Sequence, residues 1–194
     1  MISVSDIKEL REHTGAGIAD VKKALEESRG DKEKAILWLE RKLGSAAVKK
    51  ASRETMAGIV EIYLHSNGRI GSMVEVFCET DFVARNPAFK ELAHDVAMHI
   101  AAMNPLYLSL DSVPKEEWDA EKARFGEDAL ALGKPEQITR NIVEGKLAAH
   151  FGALSLFPQP FVKDQDKKVI DVINEAIGRF GENIKIGRFA RFEV

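Results

Sequence analysis

Apolar residues at helical spacing open the chain. Ile7 and Leu10 share one face of a first run that Ser3 or Ser5 is placed to cap, and Thr14-Gly15-Ala16-Gly17 then turns the chain. A second run carries Ile18, Val21 and Leu25 as far as Gly30. Asp31 is placed to cap a third, which bears Ala35, Trp38, Leu39 and Leu43. Three short helices with one apolar stripe each predict a small bundle. Residues 44–55 are small, basic and weakly periodic, which suits a connector of helical or mixed character. The expected division is therefore residues 1–54, bundle and connector, and residues 55–194.

From Gly58 the period falls to two. Val60, Ile62 and Leu64 alternate with Ile59, Glu61 and Tyr63, and Ser66-Asn67-Gly68-Arg69 supplies an Asn-Gly turn before a second strand from Ile70 to Cys78. Asn86-Pro87 opens a helix to about Met103, with Phe89, Leu92, Val96 and Ile100 on its apolar stripe and Asn104-Pro105 as its stop. A charged helix over 114–131, anchored by Trp118 and Phe125, is expected to be peripheral. One over 135–151 is expected to pack on the core. Residues 167–180 read as a last helix, and 184–194 as a closing strand bulged at Gly187. The fold class is α+β: an N-terminal three-helix bundle plus a core domain with a three-stranded antiparallel sheet packed against helices. With the helices on one face, the other face, expected to carry Tyr63 or Phe189, needs cover, and a second copy of the chain is the simplest cover.

Composition narrows the chemistry. In 194 residues, 45% hydrophobic and 30% charged, there is material for one full-sized and one small domain. A net charge of -3 is unsuited to neutralising phosphate backbones, so direct nucleic-acid binding is not expected. The single Cys78 can form no internal disulfide, which fits a reducing compartment. The first residues lack the basic start and apolar run of a signal peptide, and no stretch approaches a membrane span, so a cytoplasmic location is expected.

No catalytic constellation is legible. Gly15-Ala16-Gly17 lies between helices with Asp20 where a dinucleotide loop needs glycine, and Gly133-Lys134 is followed by Pro135, so neither phosphate-loop pattern is present. His94 and His99, five residues apart, diverge around a helix. With His13, His65 and His150 scattered, no metal site or cofactor is expected. Cys78, at a strand end, reads as a buried structural thiol, and Glu79 and Asp81 as turn or capping carboxylates.

The segment from Cys78 to Asn86 is unusual because a loop between strand and helix carries Phe82 and Val83 where small polar residues are ordinary. On the residues alone, Phe82 either folds back as a staple beneath the following helix or stands out as a wedge.

Several motifs in order carry a likeness along nearly the whole chain. They are Leu10-Arg11-Glu12-His13-Thr14-Gly15-Ala16-Gly17, Asp20-Val21-Lys22-Lys23-Ala24-Leu25, Cys78 to Val83, Gln159-Pro160-Phe161-Val162, Arg188-Phe189, and Arg191-Phe192-Glu193. In these the sequence resembles the bacterial elongation factor Ts family, whose Thr-Asp-Phe-Val signature is matched in full at Thr80, Asp81, Phe82 and Val83. The resemblance implies a nucleotide-exchange factor, not an enzyme, that binds elongation factor Tu and promotes GDP release. It implies that the bundle is ubiquitin-associated-like and docks through Arg11, Ile18, Ala19, Lys22 and Lys50. It also implies that Asp81 and Phe82 disturb the magnesium and phosphate site of the GTPase. Long family members carry two copies of the core subdomain and a helical arm. This chain reads as one copy without an arm, the form that compensates by pairing, so a homodimer is expected. An adaptor lacking exchange activity is the alternative reading.

Overall fold

The computed structural model describes residues 3–14, 16–131, 133 and 135–194. Gly15 of the expected first turn, Met1, Ile2, Leu132 and Lys134 lie outside them. Helix α1 (Val4–Thr14) starts from a reciprocal cap: the Ser3 hydroxyl accepts from the Asp6 amide at 3.0 Å, and the Ser3 amide donates to the Asp6 carboxylate at 3.2 Å. Helix α2 (Ile18–Glu27) ends in a left-handed Gly30, whose amide donates to the Leu25 carbonyl. Helix α3 (Lys32–Lys50) is capped by Asp31, which accepts from the Lys34 amide. Leu10, Ala16, Val21, Ala24, Leu25, Ala35 and Leu39 form the buried centre of this bundle. Lys32 ties its rim together through ion pairs with Asp6 (2.9 Å) and Glu9 (2.6 Å).

Residues 44–50 are an unbroken continuation of α3. Leu43 and Ala47 are buried, and Ala47 belongs to the central core, so the second half of this helix leaves the bundle and packs on the rest of the chain.

Strands β1 (Ala57–Leu64) and β2 (Ile70–Cys78) form the expected hairpin around a left-handed Gly68. A single helical turn, α4 (Asp81–Ala84), follows. Helix α5 (Pro87–Met103) is capped by Asn86, starts with proline and stops at a left-handed Asn104. Helices α6 (Lys115–Leu130) and α7 (Glu136–Leu154) form a pair. Two short strands, β3 (Pro160–Phe161) and β4 (Asp164–Lys168), precede α8 (Val169–Phe180), and β5 (Lys185–Glu193) closes the chain. The three-stranded sheet has the order β1-β2-β5, antiparallel throughout, and its register shifts opposite Glu75, where Gly187 and Arg188 are accommodated. A Cβ at Gly187 would press on the Phe77 ring and the Glu75 side chain, so a larger residue there would have to displace both.

The core lies between one face of this sheet and α5, α8 and the end of α3, filled by Val74, Val76, Phe89, Val96, Ile100 and Ile173 among others. Two expectations are corrected. Tyr63 and Phe189 pack against this core, because Tyr63 is the cross-strand partner of buried Ser72 and Phe189 of buried Val74, and directly paired residues share a face. The exposed face instead carries Val60, Ile62, Leu64, Met73, Phe77 and Phe192. Helix α7 does not pack on the sheet. Its Val143, Leu147 and Phe151 form a separate cluster with Ala129, Trp118 and Phe125, with Trp118 stacked on Phe151 at 5.0 Å between centroids.

The β3–β4 hairpin, not foreseen as strands, explains the Gln159-Pro160-Phe161-Val162 motif. Gln159 is buried and its amide nitrogen donates to the Ala153 carbonyl, while its oxygen lies 2.9 Å from His99 Nε2. The Val162 amide donates to His99 Nδ1 at 3.2 Å, and Phe161 stacks on the imidazole. The motif locks α5 to the chain leaving α7.

Candidate functional site

The segment expected as a loop is a capped helical turn. Thr80 takes an extended conformation, its hydroxyl accepts from the Val83 amide at 3.4 Å, and its carbonyl accepts from the Ala84 amide, so Asp81 to Ala84 wind as one turn. In a helical turn successive side chains point about 100° apart, which parts Phe82 from Val83. Val83 is 4% exposed in the core, and Phe82 is 78% exposed in solvent. The staple placement of Phe82 is therefore excluded. Asp81 is exposed beside it and pairs with Arg85 at 2.9 Å. Open grooves flank this corner: one of about 580 Å³ runs to the exposed sheet face past Met56, Val60 and Phe77, and one of about 460 Å³ lies against Phe82, Asn86 and Pro87.

The base of the turn is held by two residues that were not singled out from sequence. Helix α8 ends in Gly181, whose φ of +74° returns the chain toward β2, and Glu182 and Asn183 follow. One Glu182 oxygen accepts from the amides of Glu79 and Thr80, each at 3.0 Å, and the other accepts from the Thr80 hydroxyl at 2.6 Å. Asn183 donates its amide to Glu79 at 2.6 Å and its side-chain nitrogen to the carbonyls of Ala51 (3.3 Å) and Arg53 (2.8 Å), just past α3. The glycine after α8 could have been read as a helix stop. A partner 102 residues away in sequence leaves no local signal.

Cys78 is fully buried, with Sγ 3.1 Å from the Thr80 carbonyl. Burial, reinforced by the nearby Glu182 carboxylate, pushes its thiol upward, so it stays protonated and structural. Glu79 is occupied by Asn183 and by Arg53 at 3.5 Å. His94 faces Glu61 at 3.5 Å while His99 is enclosed, so the two do not converge. Among the described residues no group of three or more histidine, cysteine or acidic side chains is placed to hold a metal ion.

Of the expected bundle contacts, Arg11, Ile18, Ala19 and Lys22 are all exposed. Ile18 and Lys22 lie one turn apart on α2, away from buried Ala24. Lys50 is half-buried at the far end of α3, about 16 Å along the axis from Leu39 at the bundle's centre. It therefore belongs to the neighbourhood of Ala51 and Asn183, not to the bundle surface.

Together these features define an α+β scaffold that presents an aromatic side chain on a short, tightly capped turn. The sequence model of the family described as "Elongation factor TS" matches residues 7–194. Over its whole length the chain is 52% identical to Elongation factor Ts of Syntrophomonas wolfei, covering 91% of that protein. It is 51% identical to Elongation factor Ts of Thermotoga maritima, of which it covers 96%, and 49% identical to that of Oleidesulfovibrio alaskensis, of which it covers 98%. The chain belongs to the elongation factor Ts family. Among the described residues no helix is long and apolar enough to cross a membrane.

Proposed function

We propose that the protein is a guanine-nucleotide exchange factor that binds elongation factor Tu carrying GDP and speeds GDP release during translation elongation, as a cytoplasmic partner that makes or breaks no covalent bond. The observation that carries this reading is the exposed ring of Phe82 on a capped turn, a placement that gains nothing for the protein's own stability. In this reading Phe82, with Thr80, Asp81 and Val83 as its frame, enters between helices of the GTPase and disturbs the magnesium and phosphate site. Contacts that exist only in the distorted GTPase favour the state that holds nucleotide poorly. Burying one Phe contributes about 1.5–3 kcal/mol, whereas a thousandfold acceleration needs roughly 4 kcal/mol. The rest comes from docking of the bundle through Arg11, Ile18, Ala19 and Lys22. Lys50 contributes near the connector.

The division into a docking unit, residues 1–54, and a core unit, residues 55–194, belongs to the same proposal, as does a homodimer. The apolar face made by Val60, Ile62, Leu64, Met73, Phe77 and Phe192 would cover its own copy about a two-fold axis, sheet on sheet. The test is stopped-flow release of a fluorescent GDP from elongation factor Tu, with Phe82→Ala beside the wild type. Acceleration by the wild type that is largely lost in the variant supports the mechanism. Binding to the GTPase with no change in release would make the protein an adaptor instead.

A further inference from the structure

Glu182 and Asn183 are adjacent residues that grip two different parts of the chain, and the chemistry of each grip is specific. The amides of Glu79 and Thr80 emerge where β2 ends: the last β1–β2 pair is Ala57 with Cys78, and no strand partner remains for these two donors. A carboxylate is an acceptor only, so one Glu182 oxygen takes both. The Thr80 hydroxyl has one hydrogen. Giving it to the other Glu182 oxygen at 2.6 Å turns a lone pair toward α4, where it accepts from the Val83 amide. The same carboxylate thus fixes the strand exit and the polarity of the cap that starts the turn. One residue on, buried Asn183 binds the carbonyls of Ala51 and Arg53 and donates its backbone amide to Glu79.

We infer that Glu182 is a positioning residue for Phe82: its carboxylate clasps the Glu79–Thr80 strand exit and the Thr80 cap, and with Asn183 it fixes the turn relative to the end of α3. This inference rests on the exchange reading above and adds to it. A factor that must engage its partner with the bundle and the ring at once depends on their spacing, because a second contact gains only when geometry allows both together. The clasp joins the turn to the helix that leaves the bundle.

The experiment compares wild type, Glu182→Ala, Glu182→Gln, Thr80→Val, the Glu182→Gln/Thr80→Val double variant and Phe82→Ala in two measurements. The first is amide hydrogen exchange of the free protein at Glu79, Thr80 and Val83. The second is fluorescent GDP release from elongation factor Tu across a titration of the factor, which separates the plateau rate from the half-saturating concentration. For Glu182→Ala, the expectation is amide exchange at those three positions faster by about tenfold, and a plateau rate lower by about tenfold with a smaller change in half-saturation. Glu182→Gln keeps an oxygen for the two amides, but its NH2 group cannot accept from the Thr80 hydroxyl, so it is expected to restore slow exchange at Glu79 and Thr80, to leave Val83 faster than in the wild type, and to recover only part of the plateau. Thr80→Val keeps the volume and removes the hydroxyl, so it supports the clasp if its loss is not additive with that of Glu182→Gln. If Glu182→Ala fails to fold, the Gln and Val variants decide. A wild-type plateau in Glu182→Ala beside an inactive Phe82→Ala, or fully additive losses, overturns the clasp and leaves the exchange reading standing. A wild type that does not accelerate release overturns the exchange reading, and the clasp then stands or falls on the amide exchange alone.

Discussion

Gly178 of α8 lies directly against Leu43 of α3: a Cβ added at Gly178 would stand 2.9 Å from the Leu43 Cβ and 3.1 Å from its Cα, and would collide with its Cδ2. Two helices approach this closely only where one of them has no side chain, so the joint between the bundle's long helix and the core depends on this glycine.

Gly178→Ala gives a test with a definite sign. Helix propensity alone predicts a gain of up to about 1 kcal/mol for replacing glycine by alanine inside a helix. Overpacking against the Leu43 backbone predicts instead a loss of about 1–3 kcal/mol. The second is expected, read as a lowered urea midpoint with an unchanged slope. A stabilised variant would mean that α3 slides on α8 without penalty.

Phe82 and Val83 should respond in opposite ways to truncation. Phe82→Ala is expected to leave the melting temperature within about a degree, since an exposed surface substitution changes stability by no more than about 0.5 kcal/mol, and to slow partner GDP release roughly ten- to a hundredfold. Val83→Ala is expected to lower stability by about 1–3 kcal/mol by opening a cavity beneath the turn. Paired thermal melts and release assays separate the two.

The pH dependence of stability should carry the mark of His99. Its imidazole is fully buried, its Nδ1 accepts from the Val162 amide, and Nε2 therefore carries the proton that faces Gln159. Burial pushes its pKa below the ordinary value, against a smaller upward pull from Gln159. The folded state then binds fewer protons than the unfolded chain once the pH falls below the unfolded imidazole value of ~6.5. Stability contributed by the neutral ring is complete above that value and is lost as the pH falls from it toward the lower folded pKa. Urea titrations at pH 7.5, 6.5 and 5.5 should show progressive loss, shallower in His99→Gln. An equal slope in both would assign the acid sensitivity to other groups.

The exposed sheet face predicts the consequence of a charge placed on it. Ile62→Glu should convert a dimer at micromolar concentration to single chains in sedimentation while the circular dichroism spectrum is retained, because the Ile62 side chain points away from the core. A wild type that already sediments as one chain would remove the pairing proposal.

The sequence made legible what depends on near neighbours. Asp31, Asn86 and the Asn67-Gly68 turn were readable because caps and tight turns are made by residues within three or four positions of one another. The bulge at Gly187 was readable from a glycine interrupting an alternating strand. Which face of β1 is buried was not, because both sets of alternating residues are apolar enough to fill a core, and the choice is made by Ser72 and Val74 across the ladder. The cluster on which helix α7 packs is illegible for a related reason: its apolar stripe shows that it packs, not on what. At the candidate site, Thr80 to Val83 stood out because an aromatic in a turn is unusual. Its helical winding depends on Thr80 acting as a cap, and its support depends on Glu182 and Asn183, more than 100 residues away.

The stacking of Trp118 on Phe151 has an optical corollary. The chain has two tryptophans, and the other, Trp38, packs in the bundle with Lys42 above its ring at 5.3 Å. Neither belongs to the central core. Tryptophan emission, excited selectively at wavelengths where Tyr63 of the sheet does not absorb, therefore watches the bundle and the α6–α7 pair, so denaturation followed by that emission and by far-ultraviolet dichroism would coincide only if all three clusters melt as one.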